Sequence, residues 1–144
     1  MNKLLYQNSN LYQFPTDNYA KILNNNGLLK FLICIKQENE IEPELKEMLL
    51  NIIKALKIDE NEVEIISFSN KIHLTQLLHT FKVSKVLCFG TEAEDISLNI
   101  NLTKYHLYNI NNFELIVVND LIDVYNNQNM KSALWKLLQK MFEI

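Results

Sequence analysis

No arginine occurs among the 144 residues, and all 14 basic residues are lysines. Arginine is the side chain best suited to bidentate contacts with phosphate, carboxylate and guanine, so its absence argues against sequence-specific DNA reading. The net charge of -3 and a pI near 5.6 point the same way, because duplex binding draws its affinity from a basic face. The composition therefore favours a protein partner over nucleic acid.

Glycine is nearly as scarce, with Gly27 and Gly90 as the only two. Neither the GxGxxG nor the GxxxxGK phosphate loop can be written with them, which excludes nucleotide sites of those two kinds. Cys34 and Cys88 lie in apolar, strand-like runs without a CxxC motif, so we predict buried, reduced thiols. We expect no metal and no cofactor.

Long apolar runs are also missing, and no segment approaches the ~20 residues that span a bilayer. The N-terminus shows no secretory signal, so we expect a cytoplasmic protein without membrane contact. A chain of 144 residues with 48% hydrophobic content is predicted to form one globular domain. We place that domain at residues 28–144.

Residues 1–27 differ from the rest, because apolar side chains alternate there with Gln, Asn and Ser before the turn signal NNNG. We predict an N-terminal arm that docks on a partner, with a possible short helix at 17–23. Its candidate anchors are Leu4, Leu5, Tyr6, Leu11, Tyr12 and Phe14.

The remaining pattern alternates between strands and helices. Short apolar runs predict strands at 28–36, 63–68, 86–90 and 113–118, and apolar residues at helical spacing predict helices from Pro43, at 73–81 and at 130–142. Residues 96–102 fit an edge strand or an irregular loop, and 105–110 fit another short extended segment. We predict an α/β fold, a three-layer α/β/α sandwich with a mostly parallel four-stranded central sheet.

Candidate chemical groups lie after the predicted strands. An acidic patch follows the third strand, at the edge where open α/β sheets bind ligands, and consists of Glu92, Glu94 and Asp95. It has two interpretations: a metal or acid/base site, or a loop that simply faces solvent. Asp120 is placed to begin a helical turn. The histidines at 73, 79 and 106 are scattered, which favours structural or exposed roles over general-base catalysis.

The last helix carries two large aromatic side chains beside its core stripe. Trp135 and Phe142 are spaced i, i+7 and offset to one side of that stripe. Packing at the core margin is one interpretation, and an anchor for a protein partner is the other, because Trp is over-represented in binding hot spots. We predict that both side chains are partly buried.

Three blocks resemble the psi subunit family of the bacterial DNA polymerase III holoenzyme. They are residues 51–65 with the Ala-Leu turn, residues 89–98 after the third strand, and residues 118–138 with Asn127, Lys131, Leu134 and Trp135 in the terminal helix. The psi family is a non-enzymatic relative of the uracil-DNA glycosylase fold. Asn119 and Asp120 stand where such a glycosylase presents its catalytic histidine motif, and the loop after the first strand lacks glycine.

The resemblance implies an adaptor that is not itself an enzyme but part of a DNA-directed DNA polymerase. In that family the arm docks on a clamp-loader subunit, and the globular body holds the chi subunit, which contacts single-stranded-DNA-binding protein. Partner-binding residues would then be the arm anchors together with Trp135 and Phe142. Two alternatives stay open: a divergent hydrolase using Glu92, Asp95 or His106, and an α/β domain with unrelated protein partners.

Overall fold

The computed structural model describes residues 29–144, and the predicted arm with its six anchors lies outside them. The strands are β1 (Phe31–Lys36), β2 (Val63–Phe68), β3 (Lys85–Phe89), β4 (Leu107–Ile110) and β5 (Phe113–Val118). The α-helices are α1 (Pro43–Ala55), α2 (Leu74–Phe81), α3 (Leu121–Tyr125) and α4 (Gln128–Phe142). Two 3-10 turns, Glu60–Glu62 and Ala93–Ile96, complete this part of the chain.

The strands form one mixed sheet in the order β2-β1-β3-β5-β4. β2, β1, β3 and β5 are parallel, while β4 pairs antiparallel with β5. The prediction of four strands was therefore wrong, because residues 107–110 supply a fifth. Ile110 pairs with Phe113, so Asn111 and Asn112 make a two-residue turn, and Asn111 has the positive φ (50°) that such hairpin turns favour.

Both faces of the sheet are buried, as expected for parallel strands covered by helices. One face, including Leu32, Cys34, Val86 and Cys88, packs against the buried side of α2. The opposite face packs against α1, α3 and α4. The predicted α/β class with helices on both sides is confirmed.

The three longer helices begin near the residues that the sequence indicates. α1 has Pro43 in its first turn and buries Leu45, Leu49 and Ile53 at intervals of four. The amide of Met130 in α4 donates to the side chain of Asn127, the residue before the helix, at 3.0 Å.

α3 was expected only as a helical turn in a polar loop, because five residues are too few to show a 3.6-residue period. Asp120 does precede its first residue, but its side chain makes no capping hydrogen bond. None of the helices between residues 29 and 144 has the length and apolar character that a bilayer span requires.

Candidate functional site

The carboxyl ends of β1, β2, β3 and β5 meet at one edge of the sheet, where open α/β domains usually bind ligands. The loop after β1 leads to α1 on one face of the sheet, whereas the loop after β3 leads to the 3-10 turn Ala93–Ile96, whose Ile96 packs with α2 on the other face. A polar cleft of about 330 Å³ opens at this edge. Its lining residues are Lys36, Gln37, Glu38, Ser69, Gly90 and Asp120.

The carboxylate of Asp95, one of the predicted catalytic candidates, already has two partners. Lys36 Nζ lies 2.9 Å from its Oδ1, and the backbone N–H of Glu92 donates to its Oδ2 at 2.8 Å. The backbone of Asp95 also accepts from the amide of Ile72 at 2.9 Å. These contacts join the 3-10 turn to β1 and to the segment before α2. They give Asp95 and Glu92 a role in holding that loop.

Asn119 and Tyr105 form a second pair at the same edge. The phenolic O–H of Tyr105 donates to Asn119 Oδ1 at 2.8 Å, and its backbone N–H donates to the carbonyl of Val117 at 2.9 Å. Tyr105 has a positive φ of 61°, which is unusual for a bulky residue, and burial raises the pKa of its phenol. Sequence reasoning missed Tyr105 as a site residue, because its only local signal is a place in a predicted extended segment.

The three histidines are all exposed, as predicted. His106 makes an edge contact with the ring of Tyr108, with 4.5 Å between the ring centroids. Within residues 29–144 no three His, Cys, Asp or Glu side chains are grouped so that they could hold a metal ion.

A second and different concavity lies between α1 and α4. This apolar groove has a volume of about 230 Å³. α3 contacts both helices, and Val124 of α3 with Leu134 and Leu138 of α4 forms the floor. The floor side chains are almost fully buried. The walls include Met48, Ile52 and Ala55 of α1 and Lys131 and Trp135 of α4.

Trp135 and Phe142 are both half-buried, as their offset from the core stripe predicted. They nevertheless differ in what they contact. Trp135 lines the groove, whereas the ring of Phe142 stands edge-on to the fully buried Phe31 at a centroid distance of 5.1 Å and an angle of 84°. Lys85 Nζ lies 5.8 Å from the Phe142 ring centroid. Phe142 thus extends the core at the start of β1, and Trp135 is the aromatic side chain that a partner in the groove would contact.

The comparisons with known proteins add no family. No protein-family model matches the sequence, and no curated protein matches it at a significant level.

Proposed function

We propose that the chain is a non-catalytic adaptor of the bacterial replisome, similar to the psi subunit of DNA polymerase III. It links the clamp loader to a chi-like partner that associates with single-stranded-DNA-binding protein. The proposal includes the finer fold, a catalytically inactive relative of the uracil-DNA glycosylase domain. Four parallel strands with helices on both faces support it.

The apolar groove between α1 and α4 is the observation that carries the adaptor function. Trp135 is half-buried beside fully buried floor residues, so a partner side chain entering the groove would remove apolar surface of both molecules from water. Tryptophan in such a setting is a frequent interface anchor.

The polar edge of the sheet also supports a non-catalytic role, because its candidate catalytic residues are engaged in contacts between loops. Asp95, a carboxylate that a hydrolase would need, pairs with Lys36 and with the amide of Glu92. Asn119, at the place of the glycosylase histidine, accepts a hydrogen bond from Tyr105. These side chains hold the loops to one another.

Affinity purification of the tagged full chain from its native cell tests the adaptor role. We expect clamp-loader subunits and a chi-like protein in the eluate, confirmed by binding of the purified proteins. Deletion of residues 1–14 should remove clamp-loader binding and retain the chi-like partner. Loss of neither partner on deletion would place the docking surface outside the arm.

A uracil-excision assay on single- and double-stranded DNA tests the enzyme alternative directly. We expect no turnover and no appreciable duplex binding. Turnover that is abolished by Asp95→Ala or His106→Ala would overturn the adaptor proposal.

A further inference from the structure

We infer that the groove between α1 and α4 binds a short amphipathic helix that carries a bulky apolar anchor flanked by acidic side chains. This inference deepens the proposed function, because it names the chemistry of the segment that the globular body holds. Trp135 and Lys131 line the groove and would contact this helix, whereas Phe142 packs on Phe31 and would not.

The size of the groove sets the size of the anchor. An apolar cavity of about 150 Å³ holds one benzene molecule, so a groove of about 230 Å³ has room for one aromatic ring and a further small apolar group. The α1 wall runs from Met48 to Ala55, about 10 Å or two helical turns. The α4 residues that line the groove, Lys131 to Leu138, span a similar length. Walls of that length suit a helix that presents apolar residues at i and i+4 or i+7.

The charge around the groove determines which side chains should flank the apolar anchor of the bound helix. Three lysines and no acidic residue occur in α4, although the whole chain carries a net charge of -3. Lys131 is the charged residue that lines the groove. Its ammonium lies 5.2 Å from the ring centroid of Tyr125, and within residues 29–144 no carboxylate is in ion-pair range of it.

The position of Lys131 in its helix adds to this positive potential. It lies one turn from the start of α4, where the helix dipole is positive and a cation is unfavourable. An acidic side chain of the partner placed there would meet both the ammonium and the positive end of the helix. A basic partner would be repelled by both.

The test uses the only tryptophan of the chain, because Trp135 lines the groove and its fluorescence reports on occupancy. A displayed library of 14-residue helical peptides without tryptophan is selected on the full-length protein. It is counter-selected on the Ala55→Glu variant, whose added carboxylate fills and charges the groove. We expect enriched sequences with an aromatic or large aliphatic anchor and one or more acidic residues within one or two turns of it.

Synthetic versions of the enriched peptides are then titrated while the fluorescence of Trp135 is followed. Lys131→Glu should weaken their binding by about two- to fivefold, the range for a partly exposed ion pair. Lys136→Glu is the matched control, since it makes the same charge change on an exposed position of α4 that does not line the groove. It should change affinity less than Lys131→Glu does.

Three outcomes would overturn the inference: no enrichment that depends on the groove, enrichment of basic or uncharged peptides, or equal effects of the two lysine variants. Self-association of the full chain that Ala55→Glu abolishes would assign the groove to a second copy instead. Groove-dependent acidic peptides without clamp-loader subunits in the native eluate would sustain this inference and refute the replisome role. The two failures are therefore distinguishable.

Discussion

The carboxylate of Asp120 lies directly against the α-carbon of Gly90, so that a β-carbon at position 90 would overlap its Oδ1. Gly90 directly follows β3 and has a φ of +64°, a conformation that other residues adopt only at a cost. Its amide donates to the carbonyl of Val118 at 3.0 Å, which joins the ends of β3 and β5. One of the two glycines in the chain is thus required by local geometry at the polar cleft.

Gly90→Ala should destabilise the protein by about 1–3 kcal/mol, because it combines the strained φ with a steric overlap. Adding Asp120→Ala in the same chain removes the overlapping carboxylate, so that only the cost of the positive φ at position 90 remains. We therefore expect the double variant to be more stable than the sum of the single effects, measured by denaturant unfolding. Additive effects would show that the two residues do not interact.

Alanine variants of Trp135 and Phe142 should differ in their effects on stability and on partner binding. Phe142→Ala removes the edge contact with Phe31 and should cost about 1–3 kcal/mol, less than the 3–5 of a fully buried aromatic residue. Trp135→Ala should cost less stability than Phe142→Ala and should affect binding more. A loss of about 3 kcal/mol or more from Trp135→Ala would mean that this residue is part of the core.

These residues also show what the sequence could predict. β2 and β5 match the predicted ranges 63–68 and 113–118 because each is a continuous apolar run between polar turns. The half-burial of Trp135 followed from helical spacing alone. The groove beside it depends on how α1 and α4 are placed across the sheet, which no local pattern encodes. α3 was not predicted as a regular helix, because five residues are too few to show a period. The segment 105–110 was predicted as extended, but its four paired residues are too few to show that it joins the sheet as β4.

Asp95 gives a third prediction at the polar edge. Asp95→Ala removes both the ion pair with Lys36 and the acceptor for the amide of Glu92, and we expect a loss of about 0.5–2 kcal/mol, as for a helix cap. Lys36→Met removes only the partly exposed ion pair and should cost at most about 1 kcal/mol. Chemical unfolding of both variants at pH 7 measures the difference. Equal losses would assign the whole effect to the ion pair.

Cys88 leads to a prediction about alkaline pH. Cys34 and Cys88 are register partners on β1 and β3, and both side chains are fully buried. The hydrogen bond with Cys34 and then burial hold the pKa of the Cys88 thiol well above its ordinary value of about 9. Both cysteines are free thiols, as predicted.

Below about pH 9 the thiol is protonated in both the folded and the unfolded chain. In that range Cys88 therefore contributes no pH dependence to the free energy of unfolding. Above that pH the unfolded chain releases the proton while the folded chain retains it. The free energy of unfolding should then fall by up to about 1.4 kcal/mol per pH unit from this residue. Cys88→Ala should make the decline between pH 9 and 10.5 shallower by up to that amount, measured by denaturant unfolding against the wild-type chain. An unchanged slope would mean that the Cys88 thiol ionises at its ordinary pKa in the folded protein.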